Sequence, residues 1–128
     1  MAIARSLLEQ ILGEAASAPG HEICGLLFGD SGAIAAIRPA RNVADDPMSA
    51  FEVDPRVLFD ALRAERGGGA KLIGHYHSHP NGLATPSARD AAAAEPGWYW
   101  LIVAGGDATL WKAEEGQTFE SVELDIGA

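Results

Sequence analysis

Apolar side chains in the opening segment fall at Ile3, Leu7, Leu8, Ile11, Leu12 and Ala15. That spacing predicts an amphipathic helix with one face to bury, stopped by Pro19-Gly20. The run EICGLLFGD at 22–30 then predicts a strand, with AIAAIRP at 33–39 as its hairpin partner across an Asp30-Ser31-Gly32 turn. Arg41 to Ala50 is polar and holds Pro47, so it reads as a loop leading to a short extended piece, AFEV. Asp54-Pro55 has the form of an N-cap followed by proline at the first helical position. Val57, Leu58, Ala61 and Leu62 would form that helix's buried stripe, and Gly67-Gly68-Gly69 would end it. The remainder reads as AKLIGHYHSH (strand), PNGLAT (loop), PSARDAAAAE (helix), and three strands, WYWLIVAG, ATLWKA and TFESVEL. The order αββαβαβββ predicts an α/β fold, a single mixed sheet flanked by helices, in one domain over residues 1–128.

Composition narrows the partners. A chain of 128 residues with 48% hydrophobic and 21% charged residues has the makeup of a folded protein with a real core. Eighteen acidic side chains against nine basic ones give a net charge of −9, and no Lys/Arg cluster offers a footprint for phosphates, so nucleic acid is not an expected partner. Cys24 is the only cysteine, which leaves no intrachain disulfide and no all-cysteine metal site and suits a reducing compartment; a cytoplasmic protein is the expectation. Glu9 and Glu14 interrupt the first segment where a signal peptide needs an apolar run. The longest apolar run, WYWLIVA at 98–104, is far short of the roughly 18 residues that cross a bilayer, so no membrane association is expected.

The chemistry gathers at GHYHSHP, residues 74–80. Strand side chains alternate between faces, which sets His75, His77 and His79 on one side and Tyr76 and Ser78 on the other. An HxH pair alone is a weak signal, more often surface or core histidines than a metal site. Downstream, Thr85-Pro86 has the form of a helix start, threonine as N-cap and proline in the first turn, and it sets Ser87 and Asp90 three apart on one face. Asn81-Gly82 lets the chain fold back so that Asp90 meets the imidazoles. Two histidines and an aspartate with one open position form a catalytic zinc set. Taken singly, Ser87 reads as a first-turn residue and Asp90 as a solvated carboxylate; the combination carries the weight.

HSHP, six residues, and Ser87-Ala88-Arg89-Asp90 together resemble the His-x-His-Pro-x6-Ser-x2-Asp signature of the JAMM/MPN-plus (JAB-domain) zinc metalloprotease family. Upstream, HEICGLLFG is similar to that family's Glu-x-Cys-Gly-Leu-Leu-x-Gly element, with Glu22 at its glutamate. The likeness runs from the N-terminal helix to the WYWLIV strand. It implies an MPN/JAB fold of the cytidine-deaminase-like type and one zinc per chain, held by His77, His79 and Asp90. Ser87 would stabilise the oxyanion. Glu22, not itself a ligand, would take a proton from the attacking water and hand it to the leaving amine. His75 falls outside the signature and would shape the pocket, and Cys24 belongs to the core. The implied substrate is the C-terminal tail of a ubiquitin-like or sulfur-carrier protein, cut at a peptide or isopeptide bond after its glycines, with Asn42 to Phe51 as a rim for the tail. The compact chain, without long insertions, resembles a prokaryotic-type member. Dimerising surfaces recur in this fold, which leaves a homodimer open. Two other readings compete: a non-catalytic MPN-type scaffold, which the filled ligand positions oppose, and a DNA-repair-associated JAB-like protein, which the net charge and the Glu22–Gly29 element oppose.

Overall fold

A computed structural model describes residues 1–127. In chain order the elements are β1 (Ala2–Ile3), α1 (Arg5–Ala16), β2 (Cys24–Gly29), β3 (Ala33–Ala40), α2 (Pro55–Arg66), β4 (Leu72–Ser78), α3 (Ala88–Ala93), β5 (Tyr99–Ala104), β6 (Asp107–Glu114), β7 (Thr118–Val122) and β8 (Asp125–Ile126). The strands form one sheet in the order β7-β6-β5-β4-β2-β3-β1-β8. Most neighbours are antiparallel, but β4 and β5 run parallel, as do β1 and its two partners, so the sheet is mixed as the pattern predicts.

Period-two alternation divides the core between two faces. Leu8 and Ile11 of α1 pack with Leu27, Ile73, Tyr76, Leu101 and Val103. On the other face Ala61 of α2, with Val57 and Leu58, covers Leu26, Phe28 and Leu72. Tyr76 is wholly buried under α1, and its hydroxyl donates to Glu14 Oε2 at 2.8 Å. Gly25 stands against the Tyr76 ring, so any Cβ there would collide with it.

The structure departs from the sequence expectations at four places. Ile3 sits not in the first helix but in β1, paired with Ile34 and Ile126, because it can bury its side chain and satisfy its backbone against both strands at once. β8 lay beyond the pattern's reach for the same reason. Leu62 is 40% exposed rather than part of the buried stripe, since α2 meets the sheet through Ala61. The third helix begins at Ser87, not Thr85: Ser87 Oγ accepts from Asp90 N at 3.0 Å and Asp90 Oδ2 accepts from Ser87 N at 2.9 Å. This reciprocal capping box satisfies two backbone donors, where threonine alone would satisfy one.

Candidate metal centre

β4 carries His75 and His77 at alternate positions, His77 opposite Cys24 on one side and Ile102 on the other. His79 lies one residue past the strand yet is held as if within it, its N–H donating to Val103 O at 2.9 Å. A tight turn follows, with Gly82 at φ 82° and Leu83 N donating to Asn81 Oδ1 at 2.9 Å. The turn brings Leu83 O to within 2.8 Å of His79 Nδ1. Asp90 then arrives from α3, its Oδ2 aimed by the capping box. The three groups meet: His77 Nε2 and His79 Nε2 are 2.8 Å apart, and Asp90 Oδ2 lies 3.1 Å from His79 Nε2 and 3.4 Å from His77 Nε2. All three residues are buried.

The donor set fits a zinc ion. With Leu83 O accepting a hydrogen bond from His79 Nδ1–H, the neutral ring turns its Nε2 lone pair toward His77 Nε2 and the Asp90 carboxylate. Lone pairs and a negative charge converging in a buried space call for a cation, and two imidazole nitrogens with one carboxylate oxygen match the ligand types of catalytic zinc. Burial pushes the Asp90 carboxyl up, but its bonds to His77 and His79 outweigh this and hold it below the usual range. Burial lowers His77, against the pull of Asp90. Burial also works to lower His79, yet its bonds to Asp90 and Leu83 win and raise it.

Glu22 comes from the loop before β2 and is buried beside this cluster. One of its carboxylate oxygens and one nitrogen each of His77 and His79 lie within 4.8 Å of one another. Its pKa is pushed up to about 7, chiefly by burial, with the neighbouring His79 working against the shift. The site thus holds two carboxylates of opposite character. Asp90 is ionised and in contact with both rings; Glu22 stands free and is easily protonated. Environments that separate two acids in this way mark distinct chemical roles. Ser87 lends its oxygen to Asp90 N, and its O–H remains free to donate.

His75 does not join the cluster among the described residues. Its ring packs between Phe51, Trp98 and Trp100, edge-on to Trp100 at 4.3 Å between centroids, and burial lowers its pKa to about 3. Phe51, the end of the rim that the resemblance implies, makes a contact the sequence pattern did not announce. It stacks on His77 at 4.1 Å and 17° and holds a ring whose Nδ1 has no hydrogen-bond partner among the described residues. The signal was an aromatic side chain closing an otherwise polar loop. Phe51, Val53, Leu58, Trp98 and Trp100 line an apolar groove of about 610 Å³ whose wall includes Asp90. Cys24 is buried and its thiol is pushed up to about 12 by burial, which makes it a core residue. No helix among the described residues is long and apolar enough to cross a membrane.

Comparison with known proteins shows the family and the fold. Residues 4–119 match the family described as prokaryotic homologs of the JAB domain. The chain is 41% identical to a desampylase of Haloferax volcanii over 100 residues, spanning 76% of this chain and 72% of that protein. It is 32% identical to a probable TtuB-protein conjugate cleaving protease of Thermus thermophilus, spanning 95% of this chain and 82% of the relative. The crystal structure of a JAB1/MPN domain protein from Archaeoglobus fulgidus superposes with a TM-score of 0.65 at 26% identity, covering 100% of this chain and 97% of that one. The match over residues 4–119, together with the mixed sheet and the His/His/Asp cluster it carries, makes this chain a member of the prokaryotic JAB-domain family.

Proposed function

We propose that the protein is a zinc-dependent isopeptidase that releases the C-terminal tail of a ubiquitin-like or sulfur-carrier protein from the amine to which it is joined. The observation that carries the reading is the convergence of His77 Nε2, His79 Nε2 and Asp90 Oδ2, with a fourth, ionisable group, Glu22, alongside. The desampylase and TtuB-conjugate relatives support the substrate class.

His77, His79 and Asp90 would hold one zinc per chain. Bound there, zinc supplies Lewis acidity and lowers the pKa of a water from about 15.7 to about 7. Glu22 accepts the proton of the attacking water and delivers it to the leaving nitrogen, a shuttle that suits a carboxyl whose pKa lies near neutrality. The Ser87 hydroxyl donates to the carbonyl oxygen as negative charge builds on it. Its oxygen accepts from Asp90 N, which leaves the hydroxyl proton available for this bond. The groove beside Asp90 seats the extended tail, with Phe51 and the Trp98 and Trp100 rings excluding water from the reacting bond.

The same reading takes residues 1–128 as one domain, and the single free thiol as the mark of a cytoplasmic protein. The net charge of −9 weighs against a nucleic-acid partner. A homodimer is part of the reading through the family resemblance and is settled by sedimentation.

The test joins elemental analysis to hydrolysis of an isopeptide between a β-grasp protein's C-terminal glycine and a lysine ε-amine. One zinc per chain with cleavage after the glycine is expected. Asp90→Ala should lose both metal and cleavage, while Glu22→Ala keeps the metal and loses cleavage. A parent that binds no zinc after reconstitution, or a Glu22→Ala variant with the parent's rate, overturns the proposal.

A further inference from the structure

The Glu22 carboxylate has no hydrogen bond among the described residues to aim it, so its direction is set by the backbone that carries it. That backbone is held on two sides. From the sheet, Ser78 brackets the next residue: Ile23 N donates to Ser78 Oγ at 2.9 Å and Ser78 N donates to Ile23 O at 3.1 Å. From the loop between β3 and α2, Pro47 O accepts from Glu22 N at 2.7 Å, and the Asn42 amide donates to Glu22 O at 2.8 Å.

Asn42 does more than touch Glu22. Its second N–H goes to Ala50 O at 2.9 Å, and its Oδ1 accepts from Ala44 N and Glu52 N, both at 3.0 Å. Two donors and two acceptor sites are the whole capacity of a primary amide, and here all are used. One side chain therefore closes the 43–52 loop on itself and ties it to the residue beside the metal ligands. The far part of that loop, Ala50 to Val53, lines the apolar groove, and Phe51 within it stacks on His77. One small segment thus forms part of the groove wall and touches both His77 and Glu22.

We propose that Asn42 is a positioning residue that couples the groove rim to Glu22. It rests on the reading of Glu22 as the proton acceptor. A tail seated against Ala50–Val53 orders the loop, and the Asn42 amide passes that order to the Glu22 carbonyl, setting the carboxylate toward the attacking water. Displacing a reacting group by about 1 Å costs on the order of 100-fold in rate, so a small slackening at this link is visible in kcat.

Asn42→Asp separates the two halves of the amide. It keeps the size and the acceptors for Ala44 and Glu52, but sets a carboxylate oxygen against the Glu22 and Ala50 carbonyls. Asn42→Ala removes the link without adding charge, and reads the same question should the aspartate variant fail to fold. The probe is a β-grasp ubiquitin-like protein joined through its C-terminal glycine to the lysine ε-amine of a fluorescent peptide. Zinc per chain and thermal midpoint are measured beside kcat and KM. Expected are a fall in kcat of about 10- to 100-fold, KM changed less than about threefold, and zinc unchanged. In a Glu22→Gln background the same Asn42 change should alter the residual rate by less than about twofold, since a residue acting through another is silent once its target is gone. The proposal is overturned if kcat stays within about twofold of the parent, if the full loss recurs in the Glu22→Gln background, or if lost zinc or lost folded protein accounts for the lost rate in both variants. A Glu22→Gln enzyme with the parent's rate would be a separate result, and would remove the assignment of Glu22 itself.

Discussion

Gly74→Ala tests how the histidine strand is seated. Gly74 faces Tyr99 in the first pair of the parallel β4–β5 ladder. A Cβ at Gly74 would stand 2.7 Å from the Tyr99 carbonyl carbon and 2.9 Å from its nitrogen, with the carbonyl oxygen nearer still. Comfortable carbon contacts need about 3.5–4.0 Å, so the two strands would have to part by roughly 1 Å. Every colliding atom belongs to backbone, and no side-chain rotation relieves the clash. Overpacking of this kind costs about 1–3 kcal/mol, and stretching one or two ladder hydrogen bonds adds about 1 kcal/mol each, for a total of about 2–5 kcal/mol. With a urea m-value of about 2 kcal/mol/M, the middle of the range for small domains, the unfolding midpoint falls by about 1–2.5 M. The assay is urea unfolding followed by tryptophan fluorescence, with Trp100, 2% exposed, as a reporter in the next strand. Gly13→Ala is the matched opposite. Gly13 lies inside α1 with nothing within 4 Å of its added Cβ, and alanine there gains about 0.8–1 kcal/mol in helix propensity, so that midpoint rises. A Gly74→Ala midpoint within about 0.3 M of the parent would refute the reasoning, because it would mean the strands can separate at almost no cost.

Three further outcomes are expected. Cys24, buried and with its thiol pushed up to about 12 from 9.0, should resist a maleimide in native protein at pH 7.5 and react once unfolded; its share of stability is full below pH 9 and fades as pH rises from 9 toward 12, so the stability gap between parent and Cys24→Ala should shift over that interval in urea titrations. Tyr76→Phe removes the donor to Glu14 and should cost about 1.5–3 kcal/mol, the range for a hydrogen bond to a charged group, read as a lower urea midpoint; an unchanged midpoint would show that Glu14 finds water instead. Zinc added at about 100 times its dissociation constant should stabilise the metal-free protein by about 2.7 kcal/mol, seen as a higher thermal midpoint, and Asp90→Ala should lose most of that gain.

That His77, His79 and Asp90 come together was legible in the sequence because two short-range periods carry them. Strand alternation sets His77 and His79 on one face whatever the rest of the chain does, and the spacing of Ser87 and Asp90 fits one turn of helix. The amphipathic helices and most strands were legible for the same reason, since burial of one face writes a period of two or about 3.6 into the chain. Glu22 was legible only through resemblance, because no local pattern distinguishes a glutamate before a strand from one at a surface.

Other features belong to the tertiary structure alone. Ile3 and the residues of β8 carry too short a pattern to announce a strand, and became strands only because β3 and β1 offered open backbone partners. Whether Thr85 or Ser87 begins the third helix turned on which hydroxyl could exchange hydrogen bonds with Asp90. His75 shares the face of His77 by sequence, yet the rings of Phe51, Trp98 and Trp100 enclose it and separate it from the cluster. The role of Asn42 lies in four bonds to residues 2 to 20 positions away. The sequence by itself determined which donor atoms were available and which face of the strand they share. The fold decided which of them meet and how Glu22 is aimed, because those outcomes depend on contacts between segments far apart in the chain, and no local period encodes such contacts.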